Sequence, residues 1–303
     1  MTSFDAAALS DAFVTSALAV FSLALVVLAL AAALSRTRTR TAPLSVPVPA
    51  LEGPRDAPAL RSAPTHGSTR LAGAGQAGVV LGTILVCLAV VARGVAAGRA
   101  PWGNMYEFGL TGSAAVAVAF LIYSRRRPVG GLAPWTVALV LVLLGVSVTS
   151  LYTPVDDLVP VLNSRWLVVH VAAAIAAGAL FTVGALATVA QLVRQRRGGN
   201  DQEDHFGALA HTVHLVAFPI WTFAVIAGAV WAENAWGRYW GWDPKETWAF
   251  ITWVFYAAHL HALSTVGWRR RAGLLAIAGF LAFLFNFFGV NLWIPGLHSY
   301  AGV

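Results

Sequence analysis

The sequence has little of what soluble and secreted folds depend on. It has one cysteine, Cys87, in 303 residues, so an internal disulfide and a CxxC redox or metal motif are both excluded. Charged residues make up only 11% of the chain, against 58% hydrophobic residues and a mean hydropathy of +0.71. Soluble domains are about half apolar, so this composition excludes an ordinary soluble protein and indicates a membrane protein.

Long apolar runs are what the sequence has instead. A membrane-spanning helix needs about 20 predominantly apolar residues, and eight segments qualify, of which the third is the shortest. The sequence therefore predicts an all-α integral membrane protein with about eight transmembrane helices, at residues 13–34, 77–98, 109–123, 132–150, 166–193, 212–231, 247–264 and 272–290.

The basic residues predict the orientation of these helices. Four alternate connections between the predicted helices hold 15 of the 20 Lys and Arg residues, and positive charge collects on the cytoplasmic side of membrane proteins. With eight helices, this pattern places both termini on the outer face. The net charge of +7 is then a signal of topology, and we predict no nucleic-acid partner.

Residues 35–76 differ in composition from the rest of the chain. They hold six of the 14 prolines and six arginines, and they show no apolar period. This composition predicts a disordered cytoplasmic linker. The predicted organisation is therefore a first transmembrane helix at 1–34, the linker at 35–76, and a seven-helix core at 77–303 with an external aromatic segment at 232–248.

This external segment contains the stretch WGRYWGWDPKETW, residues 236–248, which places four tryptophans among four charged residues. A membrane-interface belt explains single tryptophans, but seven of the 12 tryptophans lie between residues 221 and 253. Asp243, Pro244 and Glu246 match the N-cap, N1 and N3 positions of a helix start. We expect a rigid platform of flat aromatic faces, suited to a large planar ligand with acidic edges such as haem.

Histidines are the candidate axial ligands for the iron of such a haem. His170, about one turn below the predicted outer surface, and His298, after the last helix, reach the level of the tryptophans; each is either a packing residue or an axial ligand. His259 and His261 lie in the inner half of the seventh helix, where an ionisable group is a functional candidate, and their spacing of two places them on different faces. His214 is expected to face the headgroups at the inner end of the sixth helix.

Together these stretches resemble the CcsA/ResC family of haem-handling proteins of type II cytochrome c biogenesis, whose signature is the WWD segment. The resemblance covers about residues 100–300. It rests on PWGNMYEF (101–108), LNSRWLVVHV (162–171), the region from FPIW to VFY (218–256), and NFFGVNLWIPGLHSY (286–300).

The resemblance implies two haem sites. On the outer face, haem would lie between the axial ligands His170 and His298, against the WWD residues Trp236, Trp240, Trp242 and Asp243. A second site within the membrane is implied at His261, in a W…Y…LH pattern. His259 stands where a tyrosine is common, so the choice between His259 and His261 stays open.

The resemblance also implies the chemistry and the partners. The chain would be the haem-binding subunit of a cytochrome c synthase in the plasma membrane, with haem b as a non-covalently bound substrate in transit. It would bring haem to the outer face, where two thiols of an apocytochrome c CxxCH motif add to the vinyl groups. The implied partners are a CcsB/ResB-like membrane subunit with the other intramembrane histidine, apocytochrome c, and thioredoxin-like proteins that reduce the thiols.

Three other functions fit parts of the pattern. A haem exporter without ligation activity would use the platform as a release site. A b-type electron-transfer protein would hold two haems, usually between histidine pairs deep in helices, whereas the best-placed pair here is external. A structural subunit would use its tryptophans only as anchors.

Overall fold

The computed structural model describes residues 3–40, 66–126, 130–157, 160–198 and 205–298, and this part of the chain is all-helical. Each predicted segment corresponds to a helix, so the expected fold class is confirmed. The eight long helices are α1 (Ser3–Arg40), α2 (His66–Ala97), α3 (Met105–Arg126), α4 (Ala133–Ser150), α5 (Arg165–Arg196), α6 (His205–Trp236), α7 (Pro244–Ser264) and α8 (Arg269–Leu284).

Among the described residues, seven helices are long and apolar enough to cross a membrane, and the chain is a multi-pass membrane protein. The exception among the eight is α7, because its threonines, tryptophans and two histidines lower its hydropathy. The seventh apolar segment joins α8 to a short helix α9 (Val290–Trp293) through a π-helical turn at Phe285–Gly289. The location of the termini on the outer face stays a prediction.

The helices are longer than the apolar runs that predicted them. α1 continues to Arg40 and α2 begins at His66, so both ends of the predicted linker are helical; residues 41–65 lie outside the described residues. The six prolines of the linker fall between positions 43 and 64. Proline disrupts the interior of a helix, so α1 ends before these prolines and α2 begins after them. α3 has 22 residues, and the Asn104 side chain accepts a hydrogen bond from the Glu107 amide at its start.

Neighbouring helices pair along the chain: α1 packs on α2, α5 on α6, and α7 on α8. Small residues allow the first of these pairs to approach closely. A Cβ atom on Gly78 would lie 2.9 Å from the Ala24 side chain, and one on Gly82 would lie 2.8 Å from the Phe21 ring. Such small-residue contacts are a common means of packing helices in membranes.

A hydrophobic core rich in aromatic residues joins α5, α6, α7 and α8. The Phe181 and Tyr256 rings stack with their centroids 3.7 Å apart, and Trp221 and Phe283 each pack edge-on to Phe181. The Trp221 indole also donates a hydrogen bond of 3.2 Å to the Ala249 carbonyl oxygen. These contacts fix α7 against α5 and α6.

A buried ion cluster supports the loop between α2 and α3. The Glu107 carboxylate is fully buried, and it accepts hydrogen bonds from Arg93 at 3.1 Å, Arg99 at 2.7 Å and the Gly103 amide at 2.7 Å. A buried charge is tolerated only when it is paired and hydrogen-bonded. The cluster therefore holds the 98–104 loop, which includes Trp102, against the bundle.

Candidate functional site

The start of α7 is built as the sequence predicts. Asp243 is the N-cap and its carboxylate accepts the Lys245 amide at 3.3 Å, while the Glu246 carboxylate accepts the Asp243 amide at 3.1 Å, which completes a capping box. The same Glu246 oxygen accepts the Gly241 amide at 2.8 Å. Trp242, between these two amides, has a φ of 58°, which is unusual for a bulky residue. Glu246 therefore holds the WWD loop in a strained shape.

Asp243 also binds the segment after α9. Its Oδ1 atom accepts the Leu297 amide at 2.7 Å, and its Oδ2 atom accepts the His298 Nδ1–H at 2.8 Å. The aspartate that caps α7 therefore also holds His298 beside the WWD loop. A carboxylate on one ring nitrogen fixes the tautomer, so in the neutral ring Nε2 carries the lone pair that can bind a metal.

Burial and these hydrogen bonds shift the pKa values of both partners. Burial lowers the pKa of His298 below its usual value, and the bond to Asp243 opposes this only in part. Burial raises the pKa of Asp243, but the bonds from His298 and Leu297 outweigh it, so the net shift is downward. The pair is therefore a neutral imidazole that donates to a carboxylate at neutral pH.

His170 is held in an equivalent way on α5. Its Nδ1 lies 2.7 Å from the Ala224 carbonyl oxygen. Since a carbonyl only accepts, Nδ1 carries the proton and Nε2 of the neutral ring carries the lone pair. Gly228, one turn further along α6, makes room for the ring, because a Cβ atom there would lie 2.7 Å from His170 Nδ1.

Trp231 lies between the two histidines. Its ring is nearly parallel to that of His170, with centroids 6.4 Å apart, and edge-on to that of His298 at 5.7 Å. Trp236 packs against Trp231 at 4.9 Å and against His298 at 5.0 Å. Trp231 was not among the site residues predicted from the sequence, although its position five residues before Trp236 on the same helix was the available signal.

A cavity of about 210 Å³ joins these residues. Its wall includes both predicted external histidines and two of the three predicted tryptophans, and it extends along α5 as far as Thr182. The wall residues that are aromatic, charged or hydrogen-bonding include His170, His298, Trp102, Trp231, Trp236, Trp240, Lys245, Glu246 and Asn286. The structure therefore brings together residues from α5, α6, α7 and the segment after α9.

Two predicted platform residues lie outside the cavity wall. Trp242 is 66% exposed, and it packs edge-on against Trp240 at 5.8 Å and Phe250 at 6.2 Å. Its positive φ accompanies this outward position. Asp243 is buried and acts through His298, as described above.

The wall also fits a flat apolar ligand with polar edges. It is mainly apolar, with aromatic faces beside the two imidazoles. Within the described part of the chain, three buried polar atoms of wall residues have no hydrogen-bond partner: Trp102 Nε1, Glu246 Oε1 and Asn286 Oδ1. Burial lowers the pKa of Lys245 to about 7, although Asp243 opposes the shift, so an acidic ligand group would favour its charged form. The Lys245 side chain also donates a hydrogen bond of 2.6 Å to Asn291 Oδ1.

The inner histidines have a different arrangement. His259 is buried and His261 is exposed, so the predicted placement on different faces of α7 is confirmed. The prediction for His214 is wrong: this side chain is fully buried, and its Nδ1 lies 3.1 Å from His259 Nε2. The position of His214 along the sequence predicts only its depth in the membrane. The rotation of α6 about its axis decides that the side chain faces the interior of the helix bundle. His261 does not line the cavity that contains His170 and His298.

Comparisons with known proteins identify the family of the chain. The family model for Cytochrome C assembly protein matches residues 102–298. A CcsA cytochrome c biogenesis protein of Prochlorococcus marinus (strain MIT 9312) is 34% identical over 259 residues, covering 74% of this chain and 83% of the relative. The chain belongs to the CcsA family. This assignment confirms the resemblance inferred from the WWD stretch.

Other relatives of this CcsA-family chain come from a second bacterium and an alga. CcsA of Microcystis aeruginosa is 31% identical over 288 residues, covering 76% of this chain and 88% of the relative. CcsA of Chlamydomonas reinhardtii is 33% identical over 230 residues, covering 72% and 65%, respectively. The solved structure of Cytochrome c Heme Lyase CcmF is 20% identical with a TM-score of 0.69, and it shares the fold over 95% of this chain and 47% of its own.

Proposed function

We propose that this cytochrome c biogenesis protein binds haem b on its outer face, between His170 and His298, and presents it for covalent attachment to apocytochrome c. The observation that supports this most directly is the convergence of two distant histidines on one aromatic cavity. Each has Nδ1 bound to a protein oxygen, from Ala224 or Asp243. Such partners orient imidazoles that bind metals.

Each part of the cavity wall then has a role in holding haem as a substrate. Trp231, Trp236 and Trp240 offer aromatic faces to the macrocycle, and Lys245 offers an amine whose charged form a propionate would stabilise. The protein's contribution to the reaction is positioning, which raises the effective concentration of the reacting groups. In the attachment step, each cysteine S–H adds across a vinyl C=C bond, forming one S–C and one C–H bond without net oxidation.

The inner half of α7 offers a surface on which a CcsB/ResB-like subunit could pack. His261 is exposed on this helix, and an ionisable side chain facing lipid is costly unless a partner covers it. We propose that His261 is a ligand of a second, inner haem site completed by that subunit, which passes haem outward. Apocytochrome c would dock at the outer face, with its thiols kept reduced by thioredoxin-like proteins in the periplasmic or equivalent space.

Haem spectra of purified complexes test the outer site. The wild-type complex should carry six-coordinate bis-histidine haem. His170→Ala and His298→Ala should lose the part of this signature that the outer haem contributes, keep the inner haem, and recover cytochrome c formation in part with added imidazole. His211→Ala, at an exposed position, is the matched control. Wild-type haem and cytochrome c yield in both cavity variants would refute the proposed site. Haem export without covalent product would instead favour the exporter.

A further inference from the structure

A hydrogen-bonded pair of histidines connects three helices in the inner half of the bundle. His259 of α7 lies with Nδ1 2.8 Å from the Ala272 carbonyl oxygen of α8, so Nδ1 carries the proton and donates. Its Nε2 then accepts from His214 Nδ1 of α6, at 3.1 Å. The two side chains are 3% and 0% exposed, so no solvent competes for these bonds.

His259 has no nitrogen left for iron in this arrangement. Both ring atoms are used within the protein, whereas His261 is exposed two residues later. A step of two residues turns a helix by about 200°. Fixing His259 inward therefore fixes His261 outward, on the face that also exposes Phe250 and Val254.

We propose that the His214–His259 pair is a positioning device, which sets the rotation of α7 so that His261 faces the partner subunit. His259 itself is not a haem ligand. The inference rests on the proposed function only in taking His261 as the inner ligand. It resolves the choice that the sequence leaves open between the two histidines of α7.

The surroundings of the pair are shaped for it. Gly184 of α5 faces the His214 ring so closely that any Cβ atom there would overlap Nε2, and Tyr256 packs beside the ring with centroids 5.3 Å apart. Gly184→Ala is therefore a way to displace His214 without altering either histidine. Gly145→Ala is its matched control, because a Cβ atom on Gly145 of α4 would meet nothing within 4 Å.

Cysteine labelling measures the rotation of α7 without haem. In a Cys87→Ala chain expressed without the partner, His261→Cys should react with N-ethylmaleimide severalfold faster than Ala262→Cys, since Ala262 is 3% exposed. Gly184→Ala, or His214→Leu with His259→Leu, should bring the two rates together. Unchanged rates in both backgrounds would overturn the positioning role.

The spectrum of the inner haem provides the second readout. In complexes with His170→Ala and His298→Ala, only inner haem remains, and Gly184→Ala should shift it from six-coordinate low-spin towards high-spin. The double leucine variant separates positioning from stability. Replacing both partners of a hydrogen bond by apolar groups is often nearly neutral for folding, so a stability role predicts a normal spectrum, whereas a positioning role predicts a perturbed one.

The remaining outcomes distinguish this inference from the proposed function. If His261→Ala leaves inner haem intact, the inner ligand assignment is wrong, whatever the labelling shows. If His259→Ala loses inner haem, recovers it with imidazole and leaves the labelling ratio unchanged, then His259 is the ligand and the positioning role is overturned.

Discussion

The glycine beside His170 offers the sharpest test of the outer site. Gly228 of α6 faces the imidazole, and the Cβ atom of an alanine there would lie 2.7 Å from Nδ1 and 2.8 Å from Cε1. Real Cβ atoms do not approach heavy atoms that closely, so the ring must move. The movement breaks the 2.7 Å bond to the Ala224 carbonyl and disturbs the contact with Trp231.

The expected loss follows from the role of that bond. Losing the protein partner of a metal-binding histidine weakens metal affinity by about 10–100-fold, which corresponds to about 1.4–2.8 kcal/mol. The helix itself should not weaken in the same way, because replacing glycine by alanine favours a helix by about 1 kcal/mol, and this offsets part of the steric cost. Gly228→Ala should therefore reduce the affinity for haem much more than it reduces the free energy of unfolding.

Haem titration of the purified complex measures this, with the Soret band reporting coordination. Gly228→Ala should bind haem about 10–100-fold more weakly, with a partial loss of the bis-histidine spectrum. Gly145→Ala should match the wild type, because its Cβ meets nothing within 4 Å. Wild-type affinity and spectrum in Gly228→Ala would mean that the His170 ring position does not control haem binding, and the argument from the Ala224 bond would fail.

Three further predictions concern the outer face and its orientation. In a Cys87-free chain, Arg238→Cys should react with an impermeant thiol reagent in intact cells and Arg197→Cys should not; the reverse pattern would invert the topology. Asp243→Ala should destabilise the start of α7 by about 0.5–2 kcal/mol and lose haem, whereas Asp243→Asn should keep more of the cap than of the haem; equal losses in thermal melts and haem content would contradict the second role. Because burial lowers the pKa of His298, its ring is neutral at pH 7 and keeps its coordinating form below the ordinary histidine pKa of about 6.5, losing it only as the pH falls through the lowered pKa; haem content that already falls between pH 7 and about 6.5 would contradict this.

The fold was predictable because each helix carries its own signal. Apolar runs located all eight long helices, and local chemistry located the start of α7, where Asp243, Pro244 and Glu246 form the cap that their spacing predicts. The helix ends were less predictable, since α1 and α2 continue past their apolar segments. Hydropathy identifies only the part of a helix that contacts lipid. The helix itself continues beyond this part until a proline or a cap ends it.

The site was less predictable because its contacts are long-range. Trp242 belongs to the WWD motif yet points away from the cavity, since its φ of 58° cannot be read from its identity. Trp231 lies outside the 13-residue stretch and contacts both histidines. The surroundings of His214 were predicted only from its depth in the membrane, whereas the rotation of α6 about its axis places it against His259. A sequence motif identifies which residues gather, whereas tertiary packing decides which of them face the ligand.

The choice of aspartate at position 243 shows how these levels combine. Serine, threonine and asparagine also cap helices well, so capping alone does not require a carboxylate. This side chain, however, accepts hydrogen bonds from Lys245, Leu297 and His298. Only an ionised carboxylate offers enough acceptor sites for all three together with a negative charge that favours the Nδ1–H tautomer. The start of α7 and the orientation of His298 are therefore set by one group. Because Asp243 caps α7 at the end of the WWD loop and also binds the histidine that follows α9, one side chain links these two walls of the cavity.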